Sequence, residues 1–177
     1  MSFELLLVRM PPDASKKEIR AAAVAAAKVK LSDSPPDSPP DSQIEARKRA
    51  VADTMLVMFP ELEEKQLDYA EIARSQGISE SEARRRNRWI SLYGPEDGAR
   101  VDIDLYDTWA RISMPHARPE NSDADMDELW SYLEALVSEG GFAVYDPQRG
   151  KPVDVAAGPK GDRGSPAGTK RPWWRFW

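Results

Sequence analysis

Four side chains between residues 102 and 116 have the chemistry of metal ligands. Asp102, Asp104 and Asp107 supply carboxylate oxygens and His116 supplies a ring nitrogen, all of which bind divalent cations in proteins. Asp102 and Asp104, however, alternate with apolar residues at the period of a β-strand, and that pattern directs both toward solvent, where charges are common. We therefore expect no metal and no cofactor here.

Nucleophilic catalysis also has little support. The chain has no cysteine and a single histidine, His116, so thiolate nucleophiles, disulfides and most multi-histidine metal sites are excluded. Acidic residues at Glu96–Asp97 and at 123–128 fit a turn and a helix N-terminus rather than a catalytic pair. The sequence thus predicts a protein that is not an enzyme. Residues 1–15 do not have the pattern of a signal peptide, since a basic region is missing and the apolar stretch is short, so the reducing cytoplasm is the expected location.

The segment IARSQGISESEARRR resembles a helix-turn-helix motif, with Ala73 and Gly77 at the spacing of its small residue and its turn glycine. Four arginines that could contact phosphates follow: Arg84, Arg85, Arg86 and Arg88. Arg86, however, falls where the second helix needs an apolar residue, and a strand pattern begins at Trp89. We favour two short helices with a basic solvent face, and keep a DNA-binding regulator as the alternative.

The C-terminus carries an aromatic and basic cluster. Three of the six tryptophans lie in the last five residues, where indole rings and arginines together suit a membrane interface or the groove of another protein. The alternative is that the cluster docks on its own domain. The sequence predicts partner or membrane binding by Arg171, Trp173, Trp174, Arg175, Phe176 and Trp177.

The charge of the 177-residue chain is unevenly distributed. The formal net charge is −5 at pH 7, but residues 32–149 hold 25 acidic and 13 basic side chains, a net of −12, whereas both ends are basic. The electric field of such a charge distribution influences which partners a protein meets rather than how it folds. An acidic body favours a basic protein partner and disfavours nucleic acid.

Local patterns predict the elements that must position these residues. Residues 3–8 are a short apolar run typical of a strand, and Ser15 with Glu18 forms a capping box before an alanine-rich helix to Leu31. The repeat SDSPPDSPPDS, 32–42, predicts an extended surface linker. Apolar spacing and capping residues then predict three helices, at 43–59, 64–75 and 80–88.

A β-hairpin is predicted over 101–114. A turn at Asp107 and Thr108 pairs every apolar residue of one strand with an apolar residue of the other, including Ile103 with Ile112. The same register places Asp104 opposite Arg111, and Tyr106 opposite Trp109, on the other face.

The remaining elements, the domain boundary and the tail are predicted from periodicity and composition. Residues 123–139 have the apolar spacing of an amphipathic helix, and 142–145 form a short strand. We expect one α+β domain over 1–153, with an antiparallel or mixed sheet and helices packed on one face. A flexible tail over 154–177 is expected from its Gly, Pro and Lys content. No apolar run approaches the roughly 18 residues of a membrane span, so the protein is expected to be soluble.

The motifs RWISLYGPEDG and YDPQ resemble those of a family of small uncharacterised bacterial proteins, over about residues 68–150. The resemblance implies a bacterial α+β protein and carries over no catalytic residue. We expect a non-catalytic protein-interaction protein, including the toxin-neutralising (immunity) type. A membrane-surface or complex-docking adaptor acting through the tail is the second hypothesis.

Overall fold

The computed structural model describes residues 3–28, 41–94, 100–114 and 122–158. Seven strands are present there: β1 Phe3–Arg9, β2 Glu63–Lys65, β3 Ile90–Tyr93, β4 Asp102–Leu105, β5 Trp109–Met114, β6 Phe142–Asp146 and β7 Lys151–Val153. The helices are α1 Lys16–Lys28, α2 Ser42–Met58, α3 Tyr69–Gln76, α4 Glu80–Arg86 and α5 Ser122–Gly140, and a 3₁₀ turn follows at Val155–Ala157.

All seven strands form one sheet, in the order β2-β3-β4-β5-β1-β6-β7. Every neighbouring pair is antiparallel. The first strand of the chain therefore lies near the centre, between β5 and β6, where it is paired on both sides. This arrangement confirms the predicted α+β fold with an antiparallel sheet.

The main core lies between the sheet and two helices. Residues of α2 and α5, such as Met55 and Leu133, pack with the inward residues of β1, β4 and β5, such as Leu7 and Ile103. The helices were expected on one face, but helix α1 lies on the opposite face, where its buried Ala23 and Ala26 pack against Val8 and Tyr145. Both faces of β1 are therefore covered, which explains why Leu5, Leu6, Leu7 and Val8 are all buried.

The predicted hairpin register is confirmed. Ile103 pairs with Ile112 and Asp104 with Arg111, and both isoleucines are fully buried. A shift of one residue would exchange this apolar face for the charged one, so burial itself fixes the register.

Two short strands differ from the prediction. A helix was expected from residue 64, but residues 63–65 pair with β3 as an edge strand. The helix begins later, capped by Asp68, whose side chain accepts from the Glu71 amide. Strand β7 was not expected, since it contains Pro152, which an edge strand tolerates. Neither strand has the alternation of apolar residues that predicts strands.

Several predicted features lie outside the described residues. These are Glu96 and Asp97, His116, most of the Pro-rich linker and the tail beyond Gly158. Residues 154–158 are described and pack against the domain, because Val155 is buried and its carbonyl accepts from Trp130 Nε1 at 3.1 Å. Among the described helices, none has the length and apolar character that crossing a membrane requires.

Candidate protein-binding face

The sheet surface opposite α2 and α5 carries a mixture of aromatic and charged side chains. It is formed by the residues of β2 to β5 that alternate with the core residues, by Glu4 of β1, and by Trp89 and Tyr106, which flank β3 and β4 and whose rings lie beside Trp109. We call it the polar face and define it as Glu4, Glu63, Lys65, Trp89, Ser91, Tyr93, Asp102, Asp104, Tyr106, Trp109, Arg111 and Ser113. Apart from buried Asp104, these side chains are partly or fully exposed, whereas the residues between them in β4 and β5 are buried.

Three aromatic rings form a row along one end of this face. The rings of Tyr106 and Trp109 stack with centroids 4.0 Å apart and an interplanar angle of 16°. Trp89 lies beside Tyr106 at 6.1 Å. Trp109 also packs against the cluster formed by α1 and β1, so the row is anchored at that end. The sequence predicted the Tyr106–Trp109 pair but not Trp89, although Trp89 alternates with Ser91 and Tyr93.

A charged group lies next to the aromatic row. Asp104 was expected to face solvent, but it is only 5% exposed. It accepts from Arg111 Nε at 3.1 Å and from the Ser91 hydroxyl at 2.5 Å. At the edge of the sheet, the Tyr93 hydroxyl donates to Glu63 at 2.6 Å. These carboxylates are thus held by neighbours, an arrangement that suits recognition better than proton transfer.

The hydroxyl of Tyr106 remains protonated at physiological pH. Burial, followed by the nearby negative charge of Asp104, raises the pKa of Tyr106 to about 12. The hydroxyl can therefore donate a hydrogen bond to a bound group but does not act as a base.

Lys48 fixes the end of the polar face from the opposite side of the sheet. Its side chain is 1% exposed, and its ammonium donates to Glu45 at 2.9 Å, to Asp107 at 2.9 Å and to the carbonyl of Arg88 at 2.5 Å. These bonds tie α2 both to the β4–β5 turn and to the residue preceding Trp89. A buried ammonium satisfied in this way gives the aromatic row a rigid support.

The three aspartates considered as metal ligands, all within the described residues, are not brought together. Asp104 is paired with Arg111, and Asp107 lies between Lys48 and Arg88. Asp102 stands apart on the polar face, opposite Tyr93. Within the described residues, no group of three histidine, cysteine or acidic side chains is placed to hold a metal ion.

The basic segment of α4 is largely neutralised by local acids. Arg84 pairs with Glu80 at 2.7 Å and also lies over the Tyr69 ring, and Arg86 pairs with Glu82. The helix has only seven residues and leads directly to β3. Two short helices followed by a strand are what the sequence favoured over a DNA-recognition unit.

A second polar cluster lies away from the polar face, where α5 meets the loop before β2. The hydroxyl of the fully buried Tyr132 donates to Glu128 at 2.7 Å, and a carboxylate oxygen of Glu61 lies 3.1 Å from the same hydroxyl. Burial, and then the hydrogen bond with Glu128, raise the pKa of Tyr132, so this hydroxyl also stays protonated. Its role is to connect two elements of the fold.

The YDPQ motif likewise has a structural role. Asp146 is fully buried, and its carboxylate accepts from the amides of Gln148 and Arg149 at 2.8 and 3.0 Å. These bonds form the turn between β6 and β7.

The predicted site in the tail, Arg171 and 173–177, lies outside the described residues. Comparison of the chain with protein-family models, with curated proteins and with solved structures gives no match. The polar face is therefore interpreted from its own chemistry.

Proposed function

We propose that this chain is a non-catalytic, cytoplasmic protein-interaction protein that binds a basic partner through the polar face. The observation that carries the proposal is the row Trp89, Tyr106 and Trp109 on a half-exposed sheet surface. Tryptophan, tyrosine and arginine are the residue types that contribute most to binding at protein interfaces.

The charge of the polar face indicates the type of partner. Four carboxylates, those of Glu4, Glu63, Asp102 and Asp104, outnumber the two cations of the face, Lys65 and Arg111. The acidic body of the chain extends this negative field. A basic partner would be steered toward such a surface and would be held in register by it.

The rigid support of the face also favours binding. The aromatic row is anchored by α1 at one end, and its turn is tied to α2 by Lys48. Surfaces that are already ordered before association lose less conformational entropy when they bind.

These features suit the toxin-neutralising type in particular. A toxin that attacks nucleic acid needs a basic surface to contact phosphates. An acidic, aromatic protein surface is complementary to such a toxin and would cover its substrate-binding region. In this proposal the chain neutralises by occlusion, which requires no catalytic group of its own.

The test is calorimetric titration of the full chain with the purified product of each adjacent reading frame. In the complex, Asp102→Lys and Glu63→Lys should each weaken binding by about tenfold or more, equivalent to about 1.4 kcal/mol. Glu134→Lys makes the same charge change on an exposed residue of α5 and serves as the matched control.

The outcomes separate two parts of the proposal. If none of the adjacent gene products binds, the toxin-neutralising assignment is overturned. Binding that is equally affected by the polar-face variants and by Glu134→Lys would show only a response to net charge, and would overturn the assignment of the polar face.

A further inference from the structure

An apolar groove lies at the other end of the molecule, where the β6–β7 edge meets α1 and α5. It has a volume of 370 Å³ and is lined by apolar side chains that include Met10, Ile19, Val137, Phe142 and Val153. This volume is within the range of about 300–1,000 Å³ typical of sites that bind small organic groups. The groove shares no residue with the polar face.

The floor of the groove is closely packed. Phe142 is 4% exposed and packs so closely on Gly140 that a Cβ there would lie 2.4 Å from a ring carbon. A surface of this kind keeps its shape when empty, so it can accept a flat ring without rearranging.

One charged side chain, Asp154, lies among the described residues that line the groove. Asp154 is exposed and lies at the end of β7. A complementary occupant would therefore combine large apolar rings with a cation.

We propose that this groove binds the chain's own terminal segment, residues 172–177. The segment Pro-Trp-Trp-Arg-Phe-Trp supplies three indoles and a phenyl ring for the apolar surface, and Arg171 or Arg175 can pair with Asp154. The occupant thus matches the groove in both its apolar character and its charge.

The path of the chain supports binding within one molecule. Asp154, Val155 and Ala156 line the groove, so the chain passes along it just before Gly158. Fourteen residues separate Gly158 from Trp173, which gives a root-mean-square reach of about 20 Å for a flexible connection. A segment tethered this closely has a millimolar effective concentration at the groove, whereas a second molecule in dilute solution does not.

The tail would then have two states. In one it docks in this groove, and in the other it contacts the partner or membrane that its sequence leads us to expect. Large aromatic rings bury about 150–250 Å² each when they find a site. The groove would thus shield the cluster from solvent until a competing surface displaces it.

The experiment uses the full chain with one cysteine appended after Trp177 and labelled with a nitroxide. The native sequence has no cysteine, so the label is unique. We expect loss of the amide NMR signals of Val137, Phe142 and Ala143, while that of Ser91 on the polar face is retained. The same labelled chain with Trp173→Ser, Trp174→Ser and Trp177→Ser keeps the connection unchanged, and its groove signals should return.

Substitutions in the groove test the same contact between tail and groove, now by changing the groove. Asp154→Lys should restore the lost signals, whereas Asp127→Lys, at an exposed position of α5, should not. Val137→Arg should act like Asp154→Lys, with Val57→Arg as its control, since Val57 is 80% exposed on α2.

Three results would overturn the proposal. The first is equal signal loss with native and tryptophan-free tails. The second is loss of the same signals in a mixture of nitroxide-labelled, unenriched chains with unlabelled, isotope-enriched chains, which would assign the groove to a neighbouring chain. The third is a tail that leaves the groove signals unchanged and binds vesicles of anionic lipid, which would assign it to a membrane surface.

Discussion

The ammonium of Lys48 lies 2.9 Å from the carboxylate of Asp107, across 59 residues of sequence. Lys48 is in the first half of α2 and Asp107 is in the β4–β5 turn. The pair therefore joins a helix on one side of the sheet to the turn that carries the aromatic row of the polar face.

We expect Lys48→Ala to destabilise the protein by about 2–4 kcal/mol, because it removes a buried side chain and leaves polar groups without their donor. The loss should stay below that of a fully buried ion pair, since Asp107 is 36% exposed and keeps its contact with Arg88. Urea unfolding followed by circular dichroism measures the difference.

The control is Arg49→Ala, at a more exposed position of α2, which should cost at most about 1 kcal/mol. Equal costs for the two variants would contradict the role given to Lys48.

The ion pair of Arg49 with Glu64 leads to a prediction about pH. The two groups form a bidentate contact, with distances of 2.7 and 2.8 Å, and this hydrogen bonding lowers the pKa of Glu64. A carboxylate with a lower pKa in the folded state stabilises the protein above its unfolded pKa, and this contribution disappears as the pH falls through the folded value.

The stability difference between the native chain and Arg49→Gln should therefore be largest near neutral pH and should shrink below about pH 4. Chemical unfolding at several pH values tests this, with Arg74→Gln on α3 as a control for the loss of one positive charge. A difference that grows on acidification would have the wrong sign and would exclude this pair as the cause.

A short apolar run was sufficient to predict β1. Alternation and helical spacing were sufficient to predict the β4–β5 hairpin, α5 and the pairing of Asp104 with Arg111. They were not sufficient for β2, whose sequence Glu-Glu-Lys has no apolar face and becomes a strand by pairing with β3. Such an edge strand is determined by its neighbour rather than by its own pattern.

Local sequence patterns also could not predict the contacts of Lys48 that support the polar face. Lysine in a helix is normally solvent-exposed, and only the three-dimensional contact with Asp107 and the Arg88 carbonyl explains why Lys48 is buried. The groove beside Asp154 combines residues from five elements, so no single segment of the sequence indicates it.

The last prediction concerns the arginines of α4, which could be mistaken for a nucleic-acid contact. Arg84 and Arg86 are each paired with an acid one helical turn earlier, Glu80 and Glu82, and the body of the chain is strongly acidic. We expect the native protein to bind duplex DNA no more tightly than about 10⁻⁶ M at physiological salt. Fluorescence anisotropy with labelled genomic fragments measures this, and a sequence-selective complex in the nanomolar range would overturn it.

The combined variant Glu80→Gln, Glu82→Gln tests whether these ion pairs are the reason that α4 does not bind DNA tightly. Removing both carboxylates leaves Arg84 and Arg86 available for phosphates, so weak binding should increase and should fall steeply with added salt, because each phosphate contact releases counterions. Glu71→Gln combined with Glu134→Gln removes the same charge from exposed positions of α3 and α5 and should have a smaller effect. If the two pairs of substitutions act equally, net charge rather than local pairing keeps α4 away from DNA.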